Sequence, residues 1–415
     1  MCALTNDMSM NKSAALDEDG KIMNIMTHTP NQGLNGRWHR AVRLHDINTK
    51  GEWHDICSCC KDREEATGGD VKNINASRRQ SMERRNPSSD PVNPLNYLSA
   101  DVDANGYVKW NPTTLDIRFG NLCNQKCIQC GAHNSNLWYE EQVAYTKSNT
   151  IHWGFGVPTL TLERDEHGKL YNPNEVRWWE SDIWWNKFDE LLPTLEHIYI
   201  TGGEPMIVPA HDEMLDRLIA SGHAKNVYLD YDSNLSVIND KLAQRWSHFK
   251  HVEIAGSIDA AYDAFELVRA GNWNTFAKNV QRIKEYERDG VVKLHRLTSC
   301  TQISTLHTMF ETEEWVLSQG VPFQIRFVDS PQKHSIMGLP YDAKLELIEY
   351  YSTRDTATAK TIKQYLENHL DPKFENAKAM QDYIRFMDFL DSTRNTNWRK
   401  IIPQTSDLLD KYNIK

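Results

Sequence analysis

The segment NLCNQKCIQCGAH at 121–133 carries three thiols, Cys123, Cys127 and Cys130, at gaps of four and three. Thiolates are soft donors that select zinc, copper(I) or iron–sulfur clusters. A structural metal site is closed by four protein ligands, whereas a catalytic one keeps a position open. Three cysteines on one loop can each take one iron of a cubane cluster and leave the fourth iron without a protein ligand. The competing readings are a zinc knuckle completed by His133 and a grouping without function. Spacing alone favours the cluster over both, and the elements that present the loop carry the choice further.

TLDIRFG runs directly into the first cysteine and reads as a strand. Five more strand-like runs follow: HIYITGGEP, NVYLDYDSN, VEIAGSID, HRLTSCTQIS and PFQIRFV. Amphipathic stretches separate them: HDEMLDRLIASG, INDKLAQRWSHF, NWNTFAKNVQRIKEYERDG and TMFETEEWVLSQG. In the third, Phe276, Val280, Ile283 and Tyr286 with Glu287 recur at helical spacing and Gly290 supplies the stop. Strand–helix alternation predicts parallel strands joined by crossover helices, an α/β fold built as a partial (β/α)6 barrel. The unusual polar residues fall at the C-terminal ends of the strands, where such sheets place their active sites.

The barrel is expected over residues 110–330. Residues 1–95 are polar and cysteine-bearing, with CSCC at 57–60 and a proline-rich linker, RNPSSDPVNPLNY. Residues 331–415 read as a helical extension, for example AKAMQDYIRFMDFLD, in which no chemistry is evident. A tryptophan-rich insertion at 133–196 separates the first two strands. It holds Trp138, Trp153, Trp178, Trp179, Trp184 and Trp185, six of the chain's 13 tryptophans, so aromatic packing dominates it. WWESDIWWNKFDELL places Trp178, Trp185, Phe188 and Leu192 on one helical stripe, read as a helix packed on the barrel wall, with a substrate-facing aromatic surface as the alternative. No internal repeat or low-complexity tract stands out.

At 415 residues the chain exceeds what one hydrophobic core sustains, so two units are expected. A formal net charge of -10 excludes general binding to nucleic acid or to an anionic membrane, because a polyanion would be repelled. The local run Arg78, Arg79, Arg84 and Arg85 reads as a solvated charged face. The N-terminus lacks the apolar core of a signal peptide, and no apolar run reaches membrane-spanning length. A cytoplasmic, reducing compartment is expected, in which clustered cysteines are metal or redox groups rather than disulfides.

With C-x3-C-x2-C directly after the first strand of a parallel β/α series, residues 110–330 resemble the radical S-adenosylmethionine (SAM) superfamily. TGGEP at 201–205 ends the second strand, as in that family. The resemblance implies that Gly202, Gly203 and Glu204 hold the amino group of the SAM methionine; glycines let backbone approach a ligand closely and a carboxylate meets an ammonium. Ser257 and Asp259 of SID look like the family's ribose motif. Arg269 in FELVRAGNW is the implied partner of the SAM carboxylate, a pairing suited to guanidinium geometry. Asn234 of DSNLS matches a position where related proteins carry Thr-Asn. Taken singly, each of these residues reads as a cap or turn residue. The family's cofactors follow from the resemblance: a [4Fe–4S] cluster on Cys123, Cys127 and Cys130, SAM, and an external one-electron reductant of flavodoxin or ferredoxin type. The implied activity is reductive cleavage of SAM to a 5′-deoxyadenosyl radical that abstracts hydrogen from a substrate.

DICSCCKDREEATGGDVKNINASRRQ resembles the cysteine-containing end of a twitch or SPASM domain. The matching residues are Cys57 and Cys60, the acidic REE, a glycine, and Ser77 followed by Arg79 or its neighbour Arg78. This implies a second, auxiliary iron–sulfur cluster, with Cys2 as a distant ligand and Cys59 as a fourth ligand or a bystander. A zinc site is the competing reading. The module ordinarily follows the barrel, and here its cysteines precede it. With Cys2 almost at the start, a strand and a ligand are expected upstream, so the chain is expected to begin late or to belong to a longer protein. Members with such modules modify peptides or proteins, or oxidise small alcohols, and the expectations are taken in that order. A non-catalytic zinc- or iron–sulfur-binding adaptor is the alternative. Oxidation needs a base near the substrate radical. Asp230 and Asp232 share one face of the third strand, and Asp232, nearer its mouth, is the candidate, with capping of the next turn as its other reading. Cys300 on the fifth strand either faces the substrate or is an inert buried thiol.

Overall fold

The structure is a computed structural model that describes residues 16–48, 102–152, 159–412 and 414. It divides into two compact units, Met1–Thr113 with His152–Thr159 and Val176–Leu195, and Thr114–Ile151 with Leu160–Glu175 and Glu196–Lys415.

The second unit is built on six strands: β1 (Thr114–Arg118), β2 (His197–Thr201), β3 (Tyr228–Ser233), β4 (His251–Ser257), β5 (Lys293–Thr301) and β6 (Phe323–Phe327). They lie side by side in sequence order and every neighbouring pair is parallel. This is the expected partial (β/α)6 arrangement, with β1 and β6 as its two open edges. A parallel sheet covered on both faces reads as continuous apolar runs. Here the strands alternate instead. Ile198, Ile200, Leu229, Tyr231, Val252 and Ile254 are buried, while Tyr199 and Glu253 between them, and Asp232 after Tyr231, are only partly buried and polar; Asp230, on the same face as Asp232, is polar and buried. One face thus packs as core and the other is furnished with charge and hydroxyl groups.

The crossovers carry α1 (Tyr139–Thr146), α2 (Pro209–Ala220), α3 (Asp240–Trp246), α4 (Tyr262–Arg269), α5 (Trp273–Arg288) and α6 (Met309–Ser318). Asn272 caps α5 by accepting from the Thr275 N–H, and Phe276, Asn279, Val280 and Ile283 form its buried stripe. After β6 come α7 (Tyr341–Ser352), α8 (Ala357–Asn368), α9 (Ala377–Arg394), α10 (Trp398–Ile401) and α11 (Pro403–Lys411). Their apolar faces share one core with Ile128, Ala132, Trp138 and Tyr139, so the C-terminal helices pack on the cysteine-bearing segment. No helix among the described residues is long and apolar enough to cross a membrane.

In the first unit the tryptophan-rich stripe is divided. Ser181 accepts from the Ile183 N–H and starts a helix at Asp182–Leu191, so Trp178 falls in a preceding 3-10 turn. Its ring instead packs edge-on against Trp184 at 4.7 Å. Capping at Ser181 overrides the helical periodicity of the apolar residues. A short turn also recurs, twice in this unit and once in the second: Asp17, Asp103 and, in the second unit, Asp165 each accept from backbone N–H groups through the side chain, and Gly20, Gly106 and Gly168 take positive φ three residues on. It is a local hairpin device.

Candidate active site at the strand ends

The loop after β1 carries Cys123, Cys127 and Cys130. Its backbone is tied on three sides. Glu204 N–H donates to Leu122 O at 2.8 Å, Ile128 N–H to Val268 O at 2.8 Å, and Asn136 N–H to Asn121 O at 2.9 Å. Cys127 and Cys130 are in contact, and the sulfur–sulfur hydrogen bond favours the thiolate of Cys127 while holding Cys130 as the thiol, well above its ordinary range. Burial pushes Cys123 up to about 11. Asn234 Nδ2 stands 3.9 Å from Cys123 Sγ.

Among the described residues, no three His, Cys, Asp or Glu side chains converge closely enough to hold a single metal ion. A cubane binds each thiolate at a separate iron and needs three thiols around a patch instead of at a point. The donor set, soft thiols on one loop beside the buried guanidinium of Arg269, fits an anionic cluster of that kind.

The TGGE turn reaches this loop from β2. Gly202 has φ of +134°, which disfavours any side chain. At Gly203 an added Cβ would stand 2.2 Å from Leu122 O. The second glycine is therefore needed so that the cysteine loop itself can approach. Glu204 is fully buried. Its carboxylate accepts from Ser233 Oγ at 2.9 Å, from Asn234 N–H at 2.7 Å and from Met206 N–H at 3.3 Å. Burial nevertheless raises its pKa, since these donors are neutral.

At the end of β4, Asp259 is fully buried with φ of +57°, a strained value for a residue with a side chain. Its carboxylate accepts from Arg269 Nη1 at 2.5 Å, from Gln129 Nε2 at 2.7 Å and from the Cys300 N–H at 2.7 Å. Arg269 also donates to Gln125 Oε1 at 3.1 Å. Burial works against the Arg269 charge, but the negative Cys127 and Asp259 outweigh it and raise its pKa. Asp259 and Arg269, assigned by resemblance to two ends of one ligand, thus meet each other. Ser257 ends β4 in register with Thr298 and is partly exposed.

Asp232 faces the polar side of the sheet. It accepts from Tyr199 OH at 2.5 Å and lies 3.9 Å from Arg296 Nη2. Ala255 stands in register between Asp232 and Arg296, small enough for the arginine to extend over it. Burial and then the Asp232 charge raise the Tyr199 pKa, keeping the phenol protonated. Capping of the turn after β3 falls to the next two residues. Ser233 Oγ accepts from Leu235 N–H and Asn234 Oδ1 from Ser236 N–H. Cys300 ends β5 with its thiol pushed up by burial. Cys2, Cys57, Cys59 and Cys60 lie outside the described residues.

Two residues that the sequence reading passed over belong to the site. Gln125 and Gln129 sit between the cysteines and join the loop to Arg269 and Asp259. Their four-residue spacing inside CNQKCIQC was a visible signal. Positive φ at Leu235, Asp259, Tyr262 and Ala270 places most of the described non-glycine strain after β3 and β4.

No protein-family profile matches the chain, and no curated protein matches it. Solved structures do show similarity. Native anSMEcpe with bound AdoMet and Cp18Cys peptide is 15% identical over 57% of this chain and 59% of that chain, with a TM-score of 0.36. Streptococcus suis SuiB bound to S-adenosylmethionine is 13% identical over 75% of this chain and 62% of that chain, with a TM-score of 0.35. SuiB bound to precursor peptide SuiA is 11% identical over 76% and 62%, with a TM-score of 0.34. The chain thus spans 59% and 62% of the first two of these structures.

Proposed function

We propose that this chain is a radical SAM enzyme whose active site lies at the C-terminal ends of β1–β5. The observation that carries the reading is the meeting of the Cys123, Cys127 and Cys130 loop with Glu204, Asn234 and Asp259 from successive strand ends and with Arg269 from the end of α4. The chemistry a [4Fe–4S] cluster supplies when bound to the three thiols is one-electron reductive cleavage of SAM to a hydrogen-abstracting 5′-deoxyadenosyl radical. The electron comes from an external reductant of flavodoxin or ferredoxin type.

The protein's own groups supply orientation and charge. Glu204, held by Ser233 and Asn234, presents a fixed carboxylate whose hydrogen bonds among the described residues come from neutral donors, with Arg269 acting on it only through space, suited to an ammonium group. Asn234 links that carboxylate to Cys123. Arg269 offsets the negative charge of the thiolates, and it meets a ligand carboxylate only if Asp259 shares it. Ser257 stands at the same strand ends for a ribose hydroxyl. Tyr199 and Asp232, on the polar face, form a proton-holding pair for a substrate hydroxyl or C–H centre. Peptide or protein modification is the favoured reaction, by resemblance of the 57–79 segment to a twitch module, with Cys2, Cys57, Cys59 and Cys60 as auxiliary-cluster ligands. Small-molecule oxidation is the second choice, and a cytoplasmic location suits either.

Anaerobic reconstitution followed by iron, sulfide and zinc assays tests the proposal. Iron and sulfide at about four each per cluster, with 5′-deoxyadenosine formed on adding SAM and reductant, is the expected result. Replacing Cys123, Cys127 and Cys130 together by Ala should abolish 5′-deoxyadenosine. Stoichiometric zinc without sulfide would establish the adaptor instead.

A further inference from the structure

Among the C-terminal helices, α9 grips the cysteine loop. Trp138 lies in the 3-10 turn Asn136–Trp138 and is 2% exposed. Its indole Nε1–H donates to the backbone carbonyl of Cys127 at 3.1 Å. The ring stacks on Phe386 of α9, centroids 5.8 Å apart and planes inclined by 21°. The Arg394 guanidinium, at the C-terminal end of α9, sits 4.8 Å from the Trp138 ring centroid. Arg394 also forks onto Glu141 Oε2 with contacts of 2.7 and 3.1 Å. Glu141 is paired through its other oxygen with Lys126, the residue before Cys127.

These contacts close a ring: Cys127 carbonyl, Trp138, Arg394, Glu141, Lys126 and back to Cys127. A tryptophan kept only for core filling would need neither the N–H partner nor the cation over its face, whereas both fix its orientation. The opposite side of the turn is held by Val268 and by the Arg269 carbonyl, 3.7 Å from Cys127 Sγ.

We propose that Trp138 is a positioning residue for the Cys127–Cys130 turn, held in place by Arg394, so that α9 belongs to the metal-binding apparatus. The functional meaning of this inference rests on the reading of Cys127 as a cluster ligand; the geometric claim does not.

The test uses the full-length chain with Trp138→Phe, which keeps an aromatic ring against Phe386 and removes the N–H together with the second ring of the indole, so the Arg394 variants, which leave the indole whole, are measured beside it. In the metal-free, reduced protein, iodoacetamide labelling of each cysteine is followed by peptide mass spectrometry. Loss of one hydrogen bond to the turn should raise Cys127 labelling about tenfold, while Cys300 labelling stays at the wild-type rate. In the reconstituted protein, the reduction potential of the cluster should shift at unchanged iron content. Arg394→Gln should reproduce the faster Cys127 labelling, and Arg394→Lys should restore part of the protection. Should Trp138→Phe fail to fold, the two Arg394 variants decide the matter. Wild-type Cys127 labelling in Trp138→Phe, or in Arg394→Gln, overturns the proposal. A chain that holds no cluster at all would remove the proposed function, and the labelling result would still stand by itself.

Discussion

Glu204 at the end of β2 and Asp259 at the end of β4 are both fully buried, yet their charges are met differently. Asp259 faces the guanidinium of Arg269 at 2.5 Å, with Gln129 and a backbone N–H completing its shell. Glu204 receives only neutral donors, two backbone N–H groups and a hydroxyl. A buried anion met only by neutral hydrogen bonds, with Arg269 acting on it through space alone, is costly, and the cost is tolerated where a ligand cation supplies the direct partner. The β2–β3 side of the site is thus poised for a cation. The β4–β5 side is already neutralised and acts as a brace between the cysteine loop and α4.

The comparison is broken most forcefully at the brace. Asp259→Ala takes the hydrogen-bonded anion from the buried Arg269 and leaves it only Gln125 and the Cys127 thiolate, which should cost about 3 kcal/mol of stability and appear as a lower urea midpoint. Replacing both partners, Asp259→Ala with Arg269→Met, should recover much of that loss, because no orphaned charge remains. A single variant as stable as wild type would show that water or another group satisfies Arg269, and the two sides would no longer differ.

A smaller effect on stability, and a larger one on ligand binding, is expected at the cation side. Glu204→Gln removes the charge and keeps a single acceptor oxygen, so either the Asn234 N–H or the Ser233 and Met206 donors lose their partner, which should cost about 1–2 kcal/mol of stability. Binding of SAM to the reconstituted protein should weaken by about ten- to a hundredfold, the worth of one charge-assisted hydrogen bond, measured by calorimetry. Undiminished affinity would remove Glu204 from the ammonium site.

This contrast was only partly legible in the sequence. The six strands were, because short strand-like runs alternate with amphipathic helical stretches along the chain; HIYITGGEP followed by HDEMLDRLIASG shows the pattern. The strand-end residues could be named as well, since Cys123, Glu204, Asn234 and Asp259 each follow a strand directly. Their partners were not foreseeable. Gly203 reads as a glycine kept open for a ligand, whereas the atom it makes room for is Leu122 O, set by how two loops fold together. The Asp259–Arg269 pair joins residues that the motif reading sends to separate ends of SAM. Trp138 and Phe386 meet through the packing of α9, and no local pattern links them. Trp178 was misplaced by periodicity because Ser181 starts a new helix.

The subtlest difference between the two carboxylates lies in their response to pH. Glu204 has its pKa raised in the folded chain by burial, whereas in the unfolded chain it titrates near the usual value of about 4.3. Between those values the folded state binds more protons than the unfolded one, so this group's contribution to stability falls as pH rises through the window. Above the folded pKa the cost is fully present and no longer changes. Glu204→Gln removes the titration. Relative to wild type it should gain stability steadily from pH 4.5 upward, level off once Glu204 is ionised, and show this in paired urea midpoints on the metal-free chain. SAM should offset the same cost in wild type alone, since its ammonium supplies the absent counter-charge. Parallel stability curves for the two proteins across that range would mean that Glu204 is already compensated, and that the β2–β3 side is as neutral at rest as the brace.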